Sequence, residues 1–396
     1  MDERALPLTG VSVIDCSRVL AGPFATMLLA DLGADVVKVE PPDGDESRGW
    51  GPPWWGDPSE RRSAYFAAVN RNKRSVVIDL RTDAGRDLLD RLATRSDLLV
   101  HNYRPSTAVR LGLELSRLAA RHPRLVIVAV GGFPGDARQR ERPAYDLLAQ
   151  ASSGLMAITG EPDGPPVRSG VALLDLIAGL EAAVGALAAL VGRGRVRSVK
   201  VSLVEAGVTS LINVLGSLLA GGSEPGRHGS AHPNIVPYQS FAARDGDLVV
   251  AVGNDEQFRA LLGVLGLRDD RARYATNAER VAHRAELIAW LSDAMSGRGR
   301  DELVADLEAA DVPAGPVHGV GDALEAMDAA YPDGWVQERD GLRTAPDPIL
   351  VDGRRLPLRL APPLLGADTD AVLADVGVSD EERDGLREAG AIGPAS

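Results

Sequence analysis

Apolar residues in the first half of the chain fall into short runs that alternate with stretches of helical periodicity. Residues 11–15 (VSVID), 36–39 (VVKV), 75–80 (SVVIDL), 97–100 (DLLV) and 125–130 (LVIVAV) are rich in β-branched and aliphatic side chains, as strands buried on both faces are. Between them, residues 23–30 (PFATMLLA), with proline near the start, and residues 84–93 carry helical spacing. Strands joined through single helices predict βαβ units and a mostly parallel sheet. The expected fold class is α/β with a Rossmann-like, doubly wound large domain, whose ligands sit at the carboxyl ends of the strands.

The pattern then changes. An Ala/Leu/Gly-rich helix is expected over 173–191, a further strand over 199–203 and another apolar helix running to 219. Residues 221–233 (GGSEPGRHGSAHP) break the composition and read as a linker. An Asp245-Gly246 turn between two strand-like runs predicts a hairpin, followed by short amphipathic helices that close near residues 311–320. The expected division is therefore a large domain over 1–220, a linker and small α+β domain over 221–325, and a tail over 326–396. That tail is too short for a core of its own and is expected to return to the large domain.

Composition narrows the function. The chain has 396 residues and a net charge of −13, which argues against a general nucleic-acid binder, because phosphate contacts need a basic face. The lone Cys16 excludes an internal disulfide framework and fits a reducing, cytoplasmic setting. No basic segment followed by an apolar one opens the chain, so no signal peptide is expected. The longest unbroken apolar run, 182–192, is too short to span a bilayer, and no membrane partner is expected. The six histidines lack metal-ligand spacing, and no metal site is predicted. Phosphate-loop, dinucleotide-loop and nucleophile-elbow motifs are all missing.

Two features could carry chemistry. Asp175 lies between Ala172–Leu174 and Leu176–Ala178, so its carboxylate sits among apolar neighbours. Either it caps the helix that follows, or it serves as a nucleophile, and the two roles are compatible. The second feature is a set of cations at strand ends: Lys38, Arg71, Lys73, Arg74, Arg81, Arg104 and Arg110. In an acidic protein they suggest a local patch for a phosphate-bearing anion. Lysine is rare here, with three against forty arginines, so Lys38 and Lys73 are expected to hold ligand-side or structural positions.

These segments together resemble the family III CoA-transferases, which include formyl-CoA transferase, carnitine CoA-transferase and the α-methylacyl-CoA racemases. The resemblance rests on LTGVSVIDCSRVLAGPFATMLLADLGADVVKVEPPDGD, NRNKRSVVIDLRTDAGRDLLDRLATRSDLLVHNYRPSTAVRLGL, PAYDLLAQASSGLMAITG, GPPVRSGVALLDLIAGL, AHPNIVPYQSF, VAVGNDEQF, DVPAGPV and PPLLGADTDAVL. It implies an interlocked-ring homodimer whose large domain is built from both chain ends. It also implies CoA transfer from an acyl-CoA donor to a carboxylic acid through an aspartyl mixed anhydride and an aspartyl-CoA thioester, with Asp175 as the nucleophile.

By the same resemblance Val19, Leu20 and Ala21 contact coenzyme A, Ile78 and Arg81 line its adenine and phosphate end, and Asn102, Tyr103 and Arg110 continue the site. Coenzyme A would be a substrate, with no tightly bound cofactor. Two positions that are basic in formyl-CoA transferase are Pro41 and Pro143 here, so those phosphate contacts are in question. The alternative activity is 2-methylacyl-CoA epimerisation. The racemases carry a histidine where this chain has Tyr145, which is assigned to substrate binding, and a tyrosine is a poor base at neutral pH. The GGGGQ loop of formyl-CoA transferase is absent, which disfavours formate and oxalate. A binding protein without turnover is the non-enzymatic alternative, and the retained aspartate argues against it.

Overall fold

The structure is a computed structural model that describes residues 6–60, 62–192, 194–269 and 272–393. The chain divides into two compact units. The larger comprises the residues up to Leu155, Arg168–Gly222 and the residues from Asp333 onward; the smaller comprises Met156–Val167 and Ser223–Pro332.

The larger unit is built on six parallel strands in the order β3-β2-β1-β4-β5-β6. These are β1 Ser12–Asp15, β2 Asp35–Glu40, β3 Lys73–Val77, β4 Leu98–His101, β5 Val126–Gly131 and β6 Ser198–Ser202. Alternation along each strand sends one set of side chains to each face. Val13, Val36, Leu98, Val100, Val126, Val128 and Val130 face the helices Ala21–Asp31 and Leu173–Val191. Ile14, Val37, Leu99 and Ile127 face the opposite layer, which includes the helix Asp83–Thr94 and Val372, Leu373 and Ile392 of the tail.

Boundaries moved where local chemistry overrode the apolar pattern. Strand β3 starts two residues early, at Lys73, and Leu203 opens a helix instead of closing β6. The expected single helix up to 219 is two, Leu203–Ser210 and Ile212–Leu219, because Ile212 at φ +33° interrupts the regular turn. Leu173–Val191 is the one helix among the described residues long and apolar enough to cross a membrane. The apolar run counted in the sequence was shorter because Asp175 and Glu181 interrupt it. In this fold the helix lays Ala178, Ala182, Ala183, Ala186 and Ala189 into the core.

The tail seals the β3 edge of the sheet. Asp79 N–H donates to the Ala391 carbonyl at 2.9 Å, Ser75 N–H donates to Asp368 at 2.8 Å, and the Asn72 side-chain oxygen accepts from Arg359 and Leu360 N–H. An edge strand paired in this way presents few free backbone groups.

In the smaller unit, β7 Tyr238–Ala243, β8 Gly246–Ala251 and β9 Ala314–Pro316 form an antiparallel sheet. The hairpin is one residue out of the expected register. Ala243 pairs with Gly246, so Arg244 and Asp245 make the turn and Gly246 begins β8. Phe258, Leu261, Leu287, Leu291, Leu303 and Leu307 from three helices fill its core.

Candidate active site

The loop between β1 and the Ala21–Asp31 helix is held in a costly conformation. Val19 has φ +69°, a region that a β-branched residue avoids. Its N–H donates to both Asp45 carboxylate oxygens, at 3.2 and 3.3 Å. Asp45 is fixed in turn by the buried ion pair with Lys38 at 3.0 Å, and Lys38 also donates to the Ser17 carbonyl at 2.9 Å. On the other side of the loop, the Asn102 amide accepts from Arg18 N–H at 2.9 Å and donates to the Arg18 carbonyl at 2.6 Å. Strain of this kind persists where the surroundings over-determine it, commonly at functional sites.

This network corrects the expected anion patch. Lys38 and Lys73 are fully buried, and Lys73 donates to Asp15 (3.0 Å), the Pro23 carbonyl (2.8 Å) and Asn70 (2.9 Å). Burial alone would raise the Asp15 carboxyl, but Lys73 and Lys38 hold it well below the usual carboxylate range. Arg71 is buried against Asp31 at 2.6 Å, and Arg74 pairs with Asp35 and Asp375. Their charges are spent on neighbours inside the fold, so none of these four presents a free cation to a ligand.

Asp175 occupies the first turn of the Leu173–Val191 helix, but it is not the cap. Ala172 holds that position with no side-chain bond. Asp146 caps from a distance: its Oδ1 accepts from Leu174 N–H at 2.8 Å and from Asp175 N–H at 3.4 Å. Gln150 ties this arrangement to the preceding loop, donating to Asp146 at 2.5 Å and accepting from Ser169 N–H at 2.9 Å. With the helix end satisfied elsewhere, the Asp175 carboxyl receives no side-chain hydrogen bond among the described residues. Burial and the nearby Asp146 charge push it up from 3.8 to about 7.

Asp175 opens into a cavity of about 240 Å³ that also holds Val19, Leu20, Ala21, Asn102, Tyr103, Pro143 and Tyr145. A second chamber, of about 620 Å³, is lined by Ile78, Arg81, Arg110, Pro41 and again Tyr103. Arg18, Glu46, Tyr103, Arg104 and Thr107 line both, so the expected site residues divide between two adjoining chambers. Within them Ile78 is buried and bridges to Ile392, while Arg81 is largely exposed and grips Asp79 at 2.7 Å. Asn102 spends its amide on Arg18. Tyr145 is 55% exposed at the start of the Asp146–Ser152 helix.

Tyr65 was missed. It packs against the cluster of Leu20, Met27 and Val69, meets Trp50 edge-on at 5.0 Å, and is pushed up to about 12, first by burial and then by Asp175, Asp146 and Asp45. Its phenol therefore stays protonated near the Asp175 carboxyl. The available signal was the crowding of three of the five tryptophans into residues 50–55. No group of three metal-ligating side chains occurs among the described residues.

The family model for CoA-transferase family III matches residues 8–369. A succinate–glutarate CoA-transferase of Agrobacterium fabrum is 38% identical, with 95% of this chain and 97% of the relative aligned. A mouse succinyl-CoA:glutarate CoA-transferase is 36% identical, covering 95% of this chain and 87% of its own length. Among solved structures, a CAIB/BAIF family protein from Brucella suis superposes with a TM-score of 0.82 at 38% identity, covering 93% of this chain and 99% of that one.

Proposed function

The chain belongs to CoA-transferase family III, and on that premise we propose that it moves coenzyme A from an acyl-CoA donor to a small dicarboxylic acid through covalent chemistry on Asp175. The observation that carries this reading is the Asp175 carboxyl itself: half-buried, without a hydrogen-bond donor among the described residues, and facing a small cavity. A poorly solvated carboxylate is a better nucleophile than a hydrated one.

In the proposed sequence, the Asp175 carboxylate attacks the thioester carbonyl, giving a mixed anhydride and free CoA thiolate. The thiolate attacks the aspartyl carbonyl of that anhydride, releasing the donor acid and leaving an aspartyl-CoA thioester. The acceptor carboxylate displaces CoA to form a second anhydride. The thiolate then attacks its acceptor carbonyl, which releases the new acyl-CoA and regenerates Asp175. Each step builds negative charge on a carbonyl oxygen beside the first turn of the Ala21–Asp31 helix, whose leading N–H groups suit such charge. Coenzyme A acts here as a substrate, with no tightly held cofactor. The relatives named above act on succinate and glutarate, which supports a diacid. Epimerisation of a 2-methylacyl-CoA would need a base paired with Asp175, and the phenol of Tyr145 is poorly suited to that role.

We further propose that the protein works as an intertwined homodimer in the cytoplasm. In support, one helix, Val320–Ala329, exposes Val320, Leu324 and Met327 along one side. The decisive experiment adds hydroxylamine to enzyme charged with succinyl-CoA. An Asp175 hydroxamate is expected by peptide mass spectrometry, and Asp175→Ala should lose both adduct and turnover. Full turnover in Asp175→Ala would overturn the proposal.

A further inference from the structure

Arg18 is held more tightly than its exposure requires, yet one of its donors is unused. Asn102 pins its main chain at both N–H and carbonyl, and the next residue is the strained Val19. Its guanidinium carbon sits 4.8 Å from the centre of the Tyr103 ring, which fixes the plane of the head group. Nη1 comes only to 3.8 Å from Glu46, too far for a hydrogen bond. Nε is shielded from solvent and has no acceptor among the described residues. An unmade hydrogen bond at a desolvated Nε costs stability, which leaves the Nη edge as the part of the head group open to a ligand. Arg48, by contrast, is fully buried and spends Nε and Nη2 on Glu40 at 2.7 Å each.

Position says what the ligand group is. Arg18 and Arg104 line both the 240 Å³ cavity that holds Asp175 and the larger chamber, whereas Arg81 and Arg110 line only the larger one. Of the first two, Arg18 is the one whose head group is stacked on Tyr103 and carries an unpaired Nε. The pantetheine arm carries the phosphates of coenzyme A far from its thioester, so phosphates suit the larger chamber. A four- or five-carbon diacid is short enough to keep both carboxylates within the smaller one. With one carboxylate reacting at Asp175, the other needs a cation, and the Nη1–Nη2 edge of a guanidinium whose side chain is 41% exposed matches a carboxylate with two bonds.

We propose that Arg18 receives the second carboxylate of the dicarboxylic acid and so decides diacid over monoacid. The inference rests on the transferase reading but is measured separately from it. Glutarate and pentanoate differ by that one carboxylate, and their binding to wild type, Arg18→Gln and Arg18→Lys is read by titration calorimetry without turnover. Wild type is expected to prefer glutarate by roughly ten- to hundredfold. Arg18→Gln, close in shape and uncharged, should erase that preference while leaving pentanoate binding within about twofold. Arg18→Lys should fall between the two. In turnover assays the same split should appear in KM for the acid, with KM for an acyl-CoA donor that carries no free carboxylate changing less than KM for the acid. Equal weakening of both acids, an unaltered preference for glutarate, or an effect confined to acyl-CoA would each overturn the assignment. If no aspartyl adduct forms in wild type, the chemistry proposed for Asp175 fails, while the calorimetric preference still tests Arg18.

Discussion

Asp146→Asn separates two jobs that one carboxylate performs. The asparagine oxygen can still accept from Leu174 N–H, so the cap on the Leu173–Val191 helix survives, while the bond from Gln150 and the charge beside Asp175 are lost. The displacement of Asp175 from 3.8 to about 7 is worth about 4 kcal/mol, and burial is its larger cause. Asp146 is the smaller cause, and removing one neighbouring like charge moves a carboxyl by on the order of one pKa unit, about 1.4 kcal/mol. The native state holds the Asp175 proton more tightly than the unfolded chain does. Ionisation thus costs stability that is present below pH 3.8 and is lost as pH rises to about 7. Chemistry needs the ionised form, so kcat/KM for acyl-CoA should rise through pH 7 in wild type and level off above it. In Asp146→Asn the midpoint should fall by about one unit, and at pH 6 the variant should carry about fivefold more ionised Asp175. A pH profile of kcat/KM between pH 5 and 8 measures this. Asp146→Ala should show the same shift together with about 1 kcal/mol of lost stability from the missing cap. An unchanged midpoint, or an upward one, would refute the coupling between the two carboxylates.

Two further substitutions probe the frame. Lys73→Met leaves Asp15 with one of its two buried cations removed, and urea denaturation should show a loss of about 3–5 kcal/mol; a loss under about 1 kcal/mol would mean the ion pair is dispensable. Gly179→Ala would place a Cβ 2.7 Å from the Ala21 carbonyl and 2.9 Å from Phe24, forcing the two helices that flank the small cavity apart; kcat should drop at least tenfold with a lower melting temperature, and wild-type kinetics would show that the helices can shift without consequence.

The strands of the larger sheet were legible because they are buried on both faces and so read as continuous apolar runs. Asp175 was legible for a related reason: a carboxylate among aliphatic residues is conspicuous. The partnerships were not. Lys73 finds Asp15, and Asp175 finds the charge of Asp146, across separations that no local pattern encodes. The rare lysines therefore looked equally fit for ligand or fold, and burial decided for the fold. For the cap on the Leu173–Val191 helix the sequence offered only the nearest carboxylate, because a remote residue can satisfy a helix end only once the chain has folded. Tyr65 carried no spacing signal, and only its position against Leu20 and near Asp175 identifies it.

The seal on β3 sets a schedule for the newborn chain. Asp79 and Ser75 take their partners from Ala391 and Asp368, residues that leave the ribosome some three hundred positions later. Until then the β3 edge stays open, and the larger unit waits with a pairing surface exposed. Residues 223–332 emerge complete in the interval and can fold first, as domains generally do during synthesis. A truncation or stall that removes the last thirty residues thus costs more than a tail: it leaves the unit that carries Asp175 unfinished at its edge, open to pairing with a neighbouring chain.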